Sequence, residues 1–453
     1  MNETRTLAEF VAGLRYEDLP PAVVEQACRI IVDTVGCAIS AWAEDPAKSS
    51  LALDLAKLYA SDEGASIIGA AGMRAQPAFA AFANGILVNA ADNDDTHKRA
   101  LIHTGSVVVP PALALAQTER LSGRELILAL VAGYEVAVRV GMAVMPTHYR
   151  YWHSTATNGT FGAAAVAAKA FGLDADATQR TLGLAGTQAA GLNTFFESGD
   201  MTKSIHPGKA CFNGILSAQL ARLGATSPPA IFEHPKGYLN AFSTQPKPEK
   251  LVEGLGTSWE ILQNGFKYFP SILASHSPIQ ATLAIVQKHG IDPTQIARIT
   301  NETYNTVKTH FSNKDVATVM AARVSVPYCI AIAAIDGKLN QAQFLPARID
   351  DPLLRDVLAK TEVIADAELN KLYPDKFPAR VTITLKSGAS FQETVLFPKG
   401  DPQDPLSAAE LEAKFRENVA GMLSAAQADN LLQTIRLLPE ARNVDAMSAL
   451  LHG

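Results

Sequence analysis

Residues 159–174 read GTFGAAAVAAKAFGLD, and so many alanines and glycines on one helix severely limit what this chain can fold into. Side chains of one carbon or none let neighbouring helix backbones come almost into contact, which is useful only in the middle of a bundle. The surrounding sequence supplies partners. Pro20 and Pro21 precede AVVEQACRIIVDTVGCAIS, whose apolar residues recur at helical spacing, with Pro21 suited to a first turn. Residues 76–91, 108–120, 122–145, 177–192 and 209–225 read as further buried helices, and few segments before residue 225 read as strands. Leu126–Met145 is apolar enough to suggest a membrane span. It also carries Glu135 and Arg139 four residues apart on one face, so a buried helix with an internal ion pair fits better.

The pattern changes near Gly265. Residues 297–306 alternate in part, and 379–386 and 390–397 flank Ser387-Gly388 as a β-hairpin should. Helices are expected over 316–335 and 351–360. Ser407 with Glu410 predicts a capping box that opens a last helical stretch after the DPQDP linker, residues 401–405. The expected fold class is therefore mainly α with an α+β insertion: a helical domain of residues 1–264 and 402–453, and a smaller α+β lid of residues 265–401.

At 453 residues, two domains or three are expected. A composition of 48% apolar and 19% charged residues is that of a globular enzyme, and a net charge of -6 without a basic run argues against nucleic-acid binding. Cys28, Cys37, Cys211 and Cys329 form no metal-ligand spacing and read as free thiols of a reducing cytoplasm. The N-terminus lacks the basic and apolar regions of a signal peptide, so a cytoplasmic location is expected.

Five segments concentrate reactive side chains. Asp92-Asn93-Asp94-Asp95-Thr96-His97, with His103 beyond it, is either a solvated helix end, a loose cation site, or a carboxylate–histidine pair for proton transfer. Tyr149–Thr157 contains His153 just before the small-residue helix. In Met201–Lys209, Pro207 at a first helical position would put His206 near the cap and Lys203 just before it, ready to meet a negative group. Lys267 lies in Gly265–Pro270, where composition shifts, with His276 nine residues on; an interdomain cleft and a plain linker both suit it. Tyr328 heads an apolar helix after Pro327, where a buried tyrosine with a satisfied hydroxyl is the ordinary reading. GxSxG, HExxH, P-loop and dinucleotide fingerprints are missing.

In order, these segments resemble the MmgE/PrpD family, whose members include 2-methylcitrate dehydratase, cis-aconitate decarboxylase and iminodisuccinate epimerase. The likeness runs from VVEQACRIIVDTVGCAIS to FPKGDPQDPLSAAELEAKF. It implies a large helical domain with an inserted α+β lid, no metal or cofactor, a small polycarboxylate substrate and a homodimer, with no nucleic-acid or membrane partner. The family's aspartate-rich motif falls on Asp92, Asp95, Thr96 and His97, and the following histidine on His103. Its other motif residues fall on His153, on Lys203 with His206 alongside, on Lys267 and on Tyr328. Dehydratases of the family commonly carry His-Pro-Ser or His-Pro-Gly, whereas this chain has His103-Thr104-Gly105-Ser106.

The resemblance implies removal of a proton next to a carboxylate. Lys203 and Lys267 would stabilise the resulting enediolate. His103 or His153 would serve as base, oriented by Asp92 or Asp95, with the other histidine or Tyr328 as acid. Asp95, Thr96, His97, His206 and His276 are expected to contact substrate. A hydro-lyase acting on 2-methylcitrate is the first expectation and an epimerase of an iminodisuccinate-like compound the second. Decarboxylation, or a polycarboxylate-binding protein without activity, comes after these.

Overall fold

A computed structural model describes residues 2–451. The chain divides into two compact units, Met1–Gly265 with Ser407–Gly453, and Phe266–Leu406.

The first unit is helical. Its N-terminal part comprises α1 (Glu3–Gly13), α2 (Pro21–Glu44), α3 (Pro46–Leu58), α4 (Pro77–Asn89), α5 (Thr104–Thr118), α6 (Gly123–Val144), α7 (Ser154–Ala170), α8 (Ala175–Gly186), α9 (Phe195–Ser198), α10 (Thr202–Arg222) and α11 (Tyr238–Phe242). The small-residue segment is α7, and it lies against α5, α6, α8 and α10. The close approach is literal. A Cβ on Gly214 of α10 would lie 2.4 Å from the Ala163 Cβ, and one on Gly162 of α7 would lie 2.6 Å from the Ala137 Cβ of α6. Gly214→Ala is therefore expected to destabilise the protein by about 1–3 kcal/mol through overpacking. The measurement is the urea midpoint at unchanged slope; a midpoint equal to the parent's would mean that α7 and α10 have room between them.

Helix α6 is the one described helix long and apolar enough to cross a membrane, yet 94% of its most apolar window is buried inside the protein. The expected ion pair is present, with Arg139 Nε donating to Glu135 Oε2 at 3.0 Å. Arg139 also donates to the carbonyls of Glu253 and Ser258 at 2.6 and 3.0 Å, so the buried charge pins the segment that closes the unit. A short antiparallel pair, β1 (Ala60–Ser66) with β2 (Arg74–Ala75), interrupts the helices; no alternation in the sequence announced it.

In the second unit, β3 (Ile296–Thr303) runs parallel to β4 (Thr361–Ala365) and antiparallel to β5 (Ala379–Leu385), which forms the expected hairpin with β6 (Ser390–Val395). Gly388 takes the positive φ of 89° that the turn requires. The helices of this unit are α12 (His276–His289), α13 (Asn305–His310), α14 (Val319–Val324), α15 (Val326–Asp336), α16 (Pro346–Ile349), α17 (Pro352–Ala359) and α18 (Ala367–Asn370). The single helix expected over 316–335 is broken in two. Pro327 has no N–H to continue a helix, and the Ser325 side chain accepts the Tyr328 N–H to start a new one.

The chain returns to the first unit through α19 (Ala408–Val419), α20 (Ala425–Arg436) and α21 (Asp445–Leu450). The Ser407–Glu410 capping box is formed as expected, with the Ser407 N–H donating to Glu410 Oε2 at 2.7 Å and the Glu410 N–H to Ser407 Oγ at 3.2 Å. Helix α19 lies along α2 so closely that a Cβ on Gly36 would be 3.0 Å from the Phe415 ring.

Candidate active site

Three helices of the first unit begin at one place. His103 is the N-cap of α5 and His153 the N-cap of α7, while Lys203 lies in the first turn of α10. Hydrogen bonds and close contacts tie the three starts together. The His103 N–H donates to Thr155 Oγ1 in the first turn of α7 at 3.2 Å. His153 Nδ1 lies 3.0 Å from His206 Nδ1 on α10, and Lys203 Nζ donates to Asp92 Oδ1 at 2.6 Å. Aligned peptide dipoles give each helix start a partial positive charge, and the Lys203 ammonium adds to it.

Asp92 follows the end of α4 with φ at 55°, a left-handed conformation that aspartate tolerates better than most residues. Its Oδ1 accepts from Lys203 and lies 4.0 Å from His103 Nε2. At the other ring nitrogen, His103 Nδ1 is 3.0 Å from the Asp95 carbonyl oxygen, 3.2 Å from Thr96 Oγ1 and 3.5 Å from Asp94 Oδ1. A carbonyl only accepts, so Nδ1 carries the proton and Nε2 is the basic atom of the neutral ring. Donor atoms of Asp92, Asp94 and His103 lie within 4.8 Å of one another, close enough to surround a cation. The Lys203 ammonium already stands against this group.

The imidazole pair has a different electrostatic setting. Burial, with the neighbouring His206 ring next in weight, holds His153 well below the ordinary histidine range. Burial also lowers His206, to about 4. Two facing Nδ1 atoms accommodate a single proton, so one ring donates and the other accepts.

Asp95, Thr96 and His97 were expected at the substrate, and the structure gives them inward contacts. Asp95 Oδ1 accepts the Gly105 N–H at 2.8 Å; Oδ2 accepts Asn264 Nδ2 at 2.7 Å and the Tyr134 hydroxyl. Burial pushes this carboxyl up to about 7 although its donors hold it down. It is the Asp95 carbonyl, not its carboxylate, that orients His103. A Cβ on Gly105 would sit 2.7 Å from Asp95 Oδ1, which explains glycine two residues after His103. Thr96 touches His103, whereas His97 is fully buried with Nε2 3.3 Å from Glu260.

The expected start of α10 also needs correction. The Asp200 side chain accepts the Thr202 N–H at 2.7 Å, so the helix opens at Thr202 and Pro207 lies inside it rather than at its first position. His206 is thus a helical residue on the same stretch as Lys203.

Lys267, His276 and Tyr328 belong to the second unit. Lys267 is buried, in an irregular segment where the Phe266 N–H donates to the Gly400 carbonyl at 2.9 Å. His276 is fully buried, with Nε2 3.3 Å from the Ser271 carbonyl. The Tyr328 hydroxyl donates to the Gln343 carbonyl at 2.7 Å. Thr155 and Asp94 are the site neighbours that motif reading passed over; a hydroxyl at the start of a helix beside a histidine is the signal that could have pointed to Thr155.

The first unit thus brings His103, the His153–His206 pair, Lys203 and Asp92 together, groups able to exchange protons and hold charge. Residues 5–251 match the MmgE/PrpD N-terminal domain and residues 269–439 the MmgE/PrpD C-terminal domain. The chain belongs to the MmgE/PrpD family and is an enzyme of that family. It is similar to the human cis-aconitate decarboxylase, 28% identical over 99% of this chain and 94% of that protein. A cis-aconitate decarboxylase-like protein of Aspergillus oryzae is 28% identical over 100% of this chain and 98% of its own length. The cis-aconitate decarboxylase of Aspergillus terreus is 27% identical, with 91% of this chain and 88% of that protein covered.

Proposed function

We propose that this enzyme is a lyase of small di- and tricarboxylic acids that works, without a metal, through a carbanion next to a carboxylate. The observation that carries the proposal is the meeting of three helix N-termini around Lys203, His103 and the His153–His206 pair. The names of the relatives put decarboxylation of a cis-aconitate-like tricarboxylate first, and elimination of water from a 2-methylcitrate-like acid second. Both develop negative charge on a carbon next to a carboxylate, although the carbanions differ.

For cis-aconitate the electrons balance as follows. The methylene carboxylate leaves as carbon dioxide, and its bonding pair forms a new C=C bond. The old C=C pair moves to the carbon beside the far carboxylate, and a histidine gives that carbon a proton. The product is 2-methylenesuccinate. Negative charge that grows on the far carboxylate is stabilised by Lys203 and the helix N-termini. His103, with carboxylates at 3.5 and 4.0 Å, has the counter-charges an imidazolium needs and is the proposed proton donor. His153, paired with another imidazole, is the proposed base in the elimination direction. The resemblance assigns Lys267 as a second cation, and this stays a proposal for substitution to test.

The decisive experiment incubates citrate, 2-methylcitrate, cis-aconitate and an iminodisuccinate with the enzyme in D2O. Deuterium is followed on the carbon next to a carboxylate, together with carbon dioxide release. No deuterium incorporation or turnover from any of the four sinks the carbanion reading. Exchange with loss of optical rotation, and neither carbon dioxide nor a new C=C bond, favours the epimerase.

The imidazole pair makes a pH prediction. Both rings are held below the unperturbed histidine value of about 6.5, so the acid limb of kcat/KM should fall below that pH. His206→Ala removes the adjacent ring and admits water, and should move the limb upward. Coincident limbs for parent and variant would show that His153 is not the titrating base. Stability follows the same sign. The folded value of His206 is about 4 and the unfolded value higher, so its contribution is present above about 6.5 and lost as pH falls towards 4.

A further inference from the structure

Helix α4 ends at Asn89, and the carbonyls that follow have no helical partners of their own. Side chains from other helices satisfy them. Lys48 Nζ donates to the Ala90 carbonyl at 2.8 Å, and Lys414 Nζ donates to the Asn93 carbonyl at 2.8 Å. Lys414 comes from α19, more than three hundred residues along the chain. Its ammonium also binds Asp33 Oδ1 of α2 at 2.6 Å, and four residues later on the same face Asn418 Oδ1 accepts from Asn93 Nδ2 at 3.1 Å. One helix face thus holds Asn93 by its carbonyl and its side chain together. The residue before Asn93 is Asp92, whose left-handed backbone aims its carboxylate at Lys203.

We infer that Lys414, with Asn418, is a positioning residue: the C-terminal helix clamps Asn93 and so fixes where Asp92 presents its carboxylate to Lys203 and His103. A buried ion pair adds little net stability over apolar packing. A charge-assisted bond to one particular carbonyl, in contrast, selects one loop geometry. Gly36 lets α19 lie close against α2, where a Cβ would be 3.0 Å from the Phe415 ring, so the helix that carries the lysine is packed tightly on the helix that carries Asp33. The inference rests on the proposed roles of Asp92, Lys203 and His103.

The test uses the full-length enzyme with Lys414→Met and Asp33→Asn combined, which withdraws both charges and leaves neither unpaired in the core. Asn418→Ala is the second variant, and the same criteria apply to it if the first does not fold. Two readouts are taken: kcat and KM on the turned-over acid, and hydrogen exchange of the backbone amides of residues 92–97. The clamp predicts faster exchange at 92–97, with kcat down about tenfold to a hundredfold. KM should stay within about threefold, because substrate binding itself is not withdrawn. Unchanged exchange overturns the clamp, as does faster exchange with parental kcat. If the parent turns over none of the acids tested, the proposed function has failed, while the exchange comparison still decides whether Lys414 holds the turn.

Discussion

Lys203→Ala is expected to lower kcat/KM by about a hundredfold to a thousandfold, or roughly 3–4 kcal/mol of transition-state stabilisation. A carboxylate substrate is already negative, and electrons moving to the carbon beside it make a species close to a dianion. In water such charge is screened; in a largely buried site it needs a fixed cation. Lys203, with its side chain 10% exposed, is held by Asp92 at 2.6 Å rather than left to wander, so little reorganisation is required as the charge develops. Thermal stability should fall as well, because the buried Asp92 carboxylate loses its ammonium, so kcat/KM is compared at a temperature where both proteins are folded. A variant with parental kcat/KM and normal folding would remove Lys203 from the chemistry. Lys267→Ala, read out in the same way, tests the cation that the family motif assigns to the second unit.

The parts of this molecule that were legible beforehand are those set by local rules. A serine three residues before a glutamate announced α19, and alternation around Ser387-Gly388 announced β5 and β6. The small-residue run announced the tight contacts of α7, because nothing but close packing explains so few side-chain atoms on one helix. The site was legible as a set of residue types, and His103, His153, Lys203 and Asp92 do come together.

What escaped were choices between partners far apart in the chain. Asp95 lies in the same acidic run as Asp92, yet Gly105, Tyr134 and Asn264 draw its carboxylate inward. Nothing within the run distinguishes the two. Pro207 reads as a helix start by its own chemistry, but Asp200 supplies an earlier one. Lys414 had a visible signature that went unread. It falls on the stripe of Leu411, Phe415 and Asn418, where a core-facing helix normally carries no charge. A lysine on a buried stripe implies an acidic partner, and here Asp33 supplies it.

His103→Gln should lower kcat by about a hundredfold to ten-thousandfold while leaving substrate binding largely intact. Glutamine keeps a donor near the Asp95 carbonyl but cannot carry a transferable proton. Electrostatics favour His103 over His153 as the donor. The acidic neighbours of His103 compensate a positive ring, whereas a proton added to the His153–His206 pair would put two donors face to face. The two histidines then differ in what their loss does to product formed in D2O. With His103→Gln, delivery of deuterium to the product carbon should become the slow step, so residual turnover shows a larger solvent isotope effect than the parent. With His153→Gln, residual decarboxylation should keep the parental isotope effect, and elimination of water should suffer more. If instead the larger isotope effect follows His153→Gln and not His103→Gln, the donor is His153 and the carboxylates around His103 serve to anchor the turn.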